Sequence, residues 1–297
     1  MNFNQLQKII YPDRRVSSNM RINCENIGLI LTKFVNLNVI KNNKLKKNFL
    51  FAVTNKTLPK ELQNISMSLV KKIQKELISL TALGFQIVIN QPFTTKSRLI
   101  IGLGTDSVLE TSLTLHKIFG IPYIPASALK GVVRAVKFWN LVKARNIASN
   151  EKSLKVFQEK FYGELETSDE DTFKAQLLFG AKNFKGLLLF LDAFPEINNE
   201  KLFDVDIMNV HYPDYYSKNE PPRDWQQPKP IFFLTVKEEI KFHIAVLFDQ
   251  YRHEKLPKEY KKLDLNNLQA ELTDLVSTAL SEFGIGAKTR VGYGVLG

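Results

Sequence analysis

The chain has 297 residues, 44% of them hydrophobic, and Lys+Arg exceeds Asp+Glu by 41 to 30, a formal net charge of +11. That composition suits a substantial globular core in one large domain or two small ones, and the basic excess suggests a polyanionic partner without naming it. The single cysteine, Cys24, excludes an internal disulfide framework and a cysteine-based zinc cluster. Residues 1–10 lack an apolar signal core, and no apolar run approaches the roughly 18 residues of a membrane helix, so the expectation is a cytoplasmic protein without membrane contact.

Residues 1–58 read as irregular and basic. Their cationic cluster, Lys41, Lys44, Lys46 and Lys47, suits either nucleic acid or a solvated loop. Pro59 opens a helix over 59–82, where Leu62, Ile65, Leu69, Ile73, Leu77 and Leu80 recur at helical spacing. Residues 85–89 alternate before Pro92 and predict a strand, and residues 98–103 predict a second. Residues 127–146 predict a strong helix with Ser127 as its N-cap and Leu129, Val132, Val133 and Val136 on its apolar face. Lys130, Arg134 and Lys137 fall at i, i+4 and i+7 and share another face.

Residues 149–180 are polar, partly helical, and read as an insertion. Residues 186–194 are almost wholly apolar, which predicts a buried central strand. Residues 211–230 hold five of the twelve prolines together with Tyr212, Tyr215, Tyr216 and Trp225, a long loop. Residues 231–236 and 240–248 flank Lys237-Glu238-Glu239 and predict a β-hairpin. A helix over 263–283, a glycine-rich loop and a short strand close the chain. From residue 85 onward this order fits an α+β class with a ferredoxin-like (RRM-like) βαββαβ plan. The insertions fall at about 149–180 and 195–230. Residues 1–83 form a separate amino-terminal basic extension and helix.

Two segments carry the chemistry. The first runs from Gly120 to Arg134 as Gly-Ile-Pro-Tyr-Ile-Pro-Ala-Ser-Ala-Leu-Lys-Gly-Val-Val-Arg. Pro122 and Pro125 force extended backbone before a helix whose unpaired N–H groups and partial positive charge suit a phosphate. Lys130 and Arg134 add charge there, and Gly131 lets another backbone approach. The same pattern suits an ordinary capped helix with a solvated face. The second segment, residues 284–294, holds Gly284, Gly286, Gly292 and Gly294. Its glycines permit an anion nest, Lys288 and Arg290 supply cations, and Tyr293 suits base stacking. A helix C-cap followed by a bulged strand explains it equally well. It lacks the order of a P-loop, which excludes a nucleotide triphosphatase. Together the two segments point to RNA.

Catalytic candidates are thin. His243 lies in an alternating strand, and His116 in a short helix before the first segment. His211 opens the Tyr- and Pro-rich loop and suits a general acid or base in a metal-independent ribonuclease, but nothing fixes a partner for it. Asp192, Asp204 and Asp206 suit magnesium or, equally, strand ends and turns. Ser127-x-x-Lys130 matches the nucleophile spacing of penicillin-interacting serine enzymes, whose accompanying motifs are absent. No cofactor is expected.

On these residues the chain resembles the RAMP superfamily, RNA-binding proteins of CRISPR effector complexes. Its members carry an Ile-Pro-x-Ser-Ser-Leu-Lys-Gly-x-x-Arg-like segment and a terminal glycine-rich loop. Here these stand at Ile124–Gly131 with Arg134, and at Gly284–Gly294, with Ala128 where a second serine is common. More narrowly it is similar to the sixth-subunit family of type III-B (Cmr) complexes. The supporting features are Gly102-Leu103-Gly104 with Glu110 and His116, Asp192-Ala193-Phe194-Pro195, residues 206–212 followed by Tyr215-Tyr216, Pro228-x-Pro230 and Gly286-Ala287-Lys288-Thr289.

The resemblance covers about residues 85–297 and implies a non-catalytic subunit at the 3′ end of the guide RNA, capping the filament of backbone subunits. It implies guide (CRISPR) RNA, target RNA and other Cmr subunits as partners: the backbone RAMP, the small subunit and the terminal RAMP. It further implies RNA contact by Ser127, Lys130, Gly131, Arg134, Lys137, Gly286, Lys288, Thr289, Arg290 and Tyr293, and by His211, Tyr215 and Tyr216 in the long loop. The alternative is a RAMP endoribonuclease that processes guide RNA with His211 or His116.

Overall fold

The computed structural model describes residues 26–33, 35, 37–55, 58–197, 201–212, 214–215, 220–225 and 227–297. Cys24 and the first ten residues lie outside the described residues. The stretch read as irregular carries three helices where it is described: α1 (Ile27–Thr32), α2 (Leu37–Lys41) and α3 (Asn43–Thr54). The side chains of Asn26 and Asn42 accept the first N–H groups of α1 and α3, a capping signal that a reading based on charge passes over. The lysine cluster is correspondingly split. Lys46 is 1% exposed, with Nζ 2.9 Å from a Glu110 oxygen, close enough for an ion pair but off the hydrogen-bond angle. The Lys47 amine lies over the rings of Phe51 and Phe232, at 5.9 and 5.5 Å.

Helix α4 (Lys60–Ala82) follows its apolar period, with Pro59 at its N-cap. Strand β1 (Phe85–Thr94) runs through Pro92 instead of stopping before it. Proline is tolerated because β1 bonds along its length only to β6, and only its last residue meets residue 297 on the other side. Then come α5 (Ala126–Ala144), α6 (Glu151–Phe161), α7 (Glu170–Phe179), β2 (Leu188–Phe190), β3 (Pro195–Glu196), β4 (Phe203–Val210), β5 (Lys229–Val236), β6 (Lys241–Asp249), α8 (Gln250–Lys255) and α9 (Leu265–Thr278). A π-turn, Ala279–Phe283, extends α9.

The main sheet has the antiparallel order β1-β6-β2, with β3 also on β6; residues 295–297 bond to the outer end of β1. Strand β6 is the central one. Phe242, Ile244, Val246 and Phe248 are buried on one face and Ala245 and Leu247 on the other. The apolar run at 186–194, expected as the central strand, shortens to β2 at the sheet's edge. Its burial comes from the helices over it. The Gln74 side chain of α4 reaches the rear face of the sheet at His243 Nε2 (2.5 Å) and Asn90, and the Ser66 hydroxyl donates to the Pro195 carbonyl. Helices α5 and α9 pack against each other and meet β2 and β1 respectively.

Residues 98–103 form no strand, only a single bridge from Leu99 to Val236. The hairpin expected at 231–248 does not form either. Strand β5 pairs with β4 in a separate two-stranded sheet, and β6 enters the main one. The wedge between them is Thr95, fully buried. Its N–H donates to Ile240 O, and its carbonyl accepts Glu239 N–H. Its hydroxyl donates to Lys237 O at 2.8 Å and accepts Ile240 N–H at 2.9 Å. The turn that would have closed the hairpin is thus bonded to a residue some 140 positions earlier.

Side chains of α1–α4 join the same continuous apolar cluster as the sheet. The insertion at 149–180 has its own small cluster, in which Phe138, Leu141 and Val142 of α5 meet Phe157 and Phe161 of α6 and Ala175 of α7. Among the described residues no helix is long and apolar enough to cross a membrane.

Replacing Thr95 with valine keeps the shape and removes the hydroxyl, leaving a buried carbonyl and N–H short of partners. The expected cost is about 1–3 kcal/mol, read as a lower urea midpoint with an unchanged m-value. A midpoint equal to wild type would show that the wedge does not hold the two sheets apart.

Candidate nucleic-acid interface

Helix α5 starts one residue earlier than expected, and Ser127 is not its cap. Pro125, extended at φ −61° and ψ 140°, holds the N-cap position and gives no side-chain bond. The Ala126 N–H donates instead to Asp192 Oδ1 at 2.7 Å. Asp192 is carried there by reciprocal 2.9 Å backbone bonds between Ile124 and Ala193. A cap supplied from the strand side left Ser127 exposed inside the first turn, a non-local arrangement that the Ser-x-x-Lys spacing could not report.

The two segments singled out by sequence share one end of the main sheet. Helix α5 begins beside Ala193, two residues before Pro195, which pairs with Phe242; Phe242 in turn pairs with Phe93 near the end of β1. The π-turn after α9 packs on α5, its Leu280 carbonyl accepts Leu296 N–H, and Leu296 bridges Thr95. The glycine loop therefore leaves and re-enters the fold where α5 starts.

Close chain approach explains two of its glycines. Gly286 has φ +96°, and a Cβ there would lie 2.2 Å from the Ile100 carbonyl oxygen, which accepts Ala287 N–H at 2.7 Å. Gly294 has φ +74°, and its Cβ would lie 1.9 Å from Ile285 O. At the loop's tip Lys288 is left-handed (φ 60°) and leads into a short turn, Thr289–Val291. Among the described residues the N–H groups of Lys288, Thr289 and Arg290 donate to no partner, which is what a nest offers. The Lys288 amine lies 5.6 Å over the Phe233 ring, and Arg290 is exposed.

Tyr293 is tied down. Its hydroxyl donates to Asp206 Oδ2, which also takes Arg98 Nη1, while Arg98 Nε lies 3.1 Å from Asp204. Burial works against the Asp206 charge, but hydrogen bonds from Tyr293, Ile207 N–H and Arg98 outweigh it and hold the carboxyl below its usual range. Burial and the bond to Asp206 push the Tyr293 phenol up. The three aspartates considered for magnesium thus serve a helix start and this clasp. Among the described residues no three His, Cys, Asp or Glu side chains converge on a metal position.

The cations expected on one face of α5 go to three places. Arg134 Nη2 donates to Phe161 O at 3.2 Å and Gly180 O at 3.0 Å, with its guanidinium 4.6 Å above the Tyr162 ring; burial holds its pKa below the ordinary value. Lys137 pairs with Glu271 of α9 at 2.6 Å. Lys130 has no carboxylate at ion-pair distance among the described residues. Burial, then Arg134 and Lys185, depress its amine. Gly131 is exposed, with nothing within 4 Å of where a Cβ would stand.

His211 is exposed just past β4, beside Asn209, Val210 and Tyr212. Tyr215 is also exposed, and Tyr216 lies outside the described residues. His116 stacks on Phe119 at 4.8 Å and meets Tyr123 and Phe194, a place in an aromatic cluster. Sequence reading missed Arg98, whose only signal was a charge in an apolar stretch, and Lys185, which had none.

A family model, the RAMP superfamily, matches residues 92–296. The chain is 32% identical to the CRISPR system Cmr subunit Cmr6 of Pyrococcus furiosus, over 97% of this chain and 90% of that protein. It is 26% identical to the CRISPR system CMR subunit Cmr6 of Saccharolobus solfataricus, over 75% of this chain and 60% of that one. It shares a fold with a chain in the cryo-EM structure of the type III-B Cmr-beta bound to cognate target RNA. That match has a TM-score of 0.53 and 18% identity, covering 99% of this chain and 96% of the other.

The clasp makes acid sensitivity testable. Because the folded Asp206 carboxyl lies below its unfolded value, its contribution is present above the ordinary carboxylate range of about 4 and is lost as pH falls through the depressed value. Urea midpoints measured from neutral pH downward should fall less steeply for Asp206→Asn than for wild type. Parallel acid limbs would remove Asp206 from the stabilising set.

Proposed function

The chain belongs to the RAMP superfamily, and from that premise we propose that it is a non-catalytic guide-RNA-binding subunit of a type III-B (Cmr) CRISPR effector. In this reading it sits at the 3′ end of the guide, caps the filament of backbone subunits and works in the cytoplasm. The observation that carries it is a convergence at one end of the sheet. The start of α5 and the glycine loop both lie there, each bringing a cation that has no carboxylate partner among the described residues, Lys130 and Arg290. The identity to Pyrococcus furiosus Cmr6 along nearly the whole chain supports the choice of complex.

A ferredoxin-like core belongs to the same reading. The order of residues 295–297, β1, β6 and β2 is that of strands 4-1-3-2 in that plan, with α5 and α9 in its two helix places. Residues 1–83 are then an extension, whose described helices α1–α4 pack on the core at 84–297, with insertions at about 149–180 and 195–230.

Within the interface we assign phosphate contact to Lys130, Lys288 and Arg290, with Ser127 and Thr289 offering hydroxyls and Gly131 and Gly286 close backbone. These contacts set affinity and carry no sequence preference. Arg134, Lys137 and Tyr293 shape the surface through the bonds they already make. The β4–β5 ribbon, with His211, Tyr212, Tyr215 and the 75% exposed Trp225 near its open end, faces target RNA or a neighbouring subunit.

Guide-length single-stranded RNA should bind with an affinity that falls as salt rises. The double variant Lys130→Ala plus Lys288→Ala should reduce the slope of log K against log salt by about 0.7 for each phosphate that is no longer neutralised. An unchanged slope would strike both lysines from the interface. Repeat RNA incubated without divalent metal should stay intact; specific cutting abolished by His211→Ala would replace this reading with the endonuclease.

A further inference from the structure

The turn between α7 and β2, residues 180–186, holds like charges together with unusual care. Gly180 ends α7 at φ +101°, and Ala181 and Phe184 bond to each other across the turn. A Cβ at Gly186 would lie 2.6 Å from Gly180 N and 2.5 Å from Phe179 C, so the two ends of the turn touch and only glycine fits.

Two arginines clamp this turn from opposite sides. Arg134 of α5 donates to Gly180 O at 3.0 Å. Arg252 of α8 donates to Gly186 O at 3.2 Å and to Lys185 O at 2.5 Å, with its guanidinium 5.6 Å over the Phe184 ring. Lys185 is thereby fixed beside Gly180. Lys130 lies one helical turn before Arg134 on α5, on the same side of the helix. Lys130 is half-buried and Lys185 exposed, and the Lys130 amine lies within the field of the Lys185 charge. Among the described residues no carboxylate lies at ion-pair distance from either.

We propose that Lys130 and Lys185 together bind one phosphodiester of the guide RNA, with Arg134 and Arg252 as positioning residues that hold the 180–186 turn in place. This rests on the guide-RNA reading above and extends its contact set to a residue outside both sequence segments. Like charges held together repel, and among the described residues no carboxylate relieves that repulsion; an anion between them does. The Lys130 amine is depressed first by burial and then by the nearby charges of Arg134 and Lys185. RNA is favoured over an isolated phosphate because the subsite lies on α5 just past its first turn, where Ser127 is exposed. It lies about 6 Å along the helix axis from Ala126. The Tyr162 ring, 37% exposed beneath Arg134, adds an aromatic surface next to it.

The test is a salt series of single-stranded RNA binding to the full chain. Lys185→Ala should weaken binding about five- to tenfold and lower the salt slope by about 0.7, while Lys185→Arg stays near wild type. Adding Lys130→Ala should cost less than the product of the two single losses, because both amines serve one phosphate. Millimolar inorganic phosphate should compete poorly. A Lys185→Ala protein with wild-type affinity and slope, alongside a weakened Lys130→Ala protein, overturns the subsite and leaves the guide-RNA reading standing. Losses that simply multiply overturn the shared phosphate. Absence of salt-dependent RNA binding by wild type overturns the guide-RNA reading and the subsite with it.

Discussion

The molecule is closed by its last residues returning to the segment after its first long strand. Gly297 and Thr94 exchange backbone bonds, Val295 accepts Lys96 N–H, Arg98 O accepts Gly294 N–H and Ile100 O accepts Ala287 N–H. These bonds join positions about two hundred residues apart, so they close one of the longest loops in the fold, at an entropy cost that other contacts must offset. Nothing local stabilises that meeting. Close approach does, and it works because Gly286 and Gly294 have no Cβ to strike the Ile100 and Ile285 carbonyls. The glycine loop is therefore first a closure device. Its tip, Lys288 to Arg290, is the part that closure leaves open to a ligand.

The same closure sorts the charges. A net charge of +11 suggests a polyanion, but several of the cations are already committed within the fold. Arg98 is held between Asp204 and Asp206, Lys137 by Glu271, Lys46 by Glu110, and Arg134 by two carbonyls. The uncommitted ones decide where a phosphate is attracted, because a paired cation offers little net field. Lys130, Lys185, Lys288 and Arg290 are among those that have no carboxylate partner among the described residues, and they lie around the start of α5 and the glycine loop.

What the sequence could show follows the range of each interaction. Helix α4 was legible because its apolar period is a local property, and so was the existence of α5. The helix start after Pro125 and the glycine loop at 284–294 were legible for the same reason, since proline and glycine act on their own backbone. The errors fell where a partner lies far away in the chain. Ser127 looked like a cap until Asp192 took that role, and residues 231–248 looked like a hairpin until Thr95 bonded the turn. The apolar run at 186–194 looked central, but burial by helices and burial by strands leave the same mark on composition. The committed states of Arg134 and Tyr293 were invisible for the same reason, because Gly180, Phe161 and Asp206 acquire meaning only once the chain is folded.

Arg134 shows how a residue can belong to a functional motif without touching the ligand. The insertion at 149–180 builds its small aromatic core on the back of α5, through Phe138, Leu141 and Val142. Arg134 fastens the end of α6 at Phe161 and the residue after α7, Gly180, to α5. Its Nε is buried without a hydrogen-bond partner. That geometry leaves one donor unused while the guanidinium stands 4.6 Å over the Tyr162 ring, and it sets a permanent positive charge beside Lys130. Lysine in its place would offer a strongly hydrated point charge instead of the delocalised guanidinium that bonds both carbonyls from Nη2 and stands over the ring. In the proposed subsite the arginine of the segment acts on a phosphate through Lys130 and Lys185, by fixing where they stand and by raising the field in which they work.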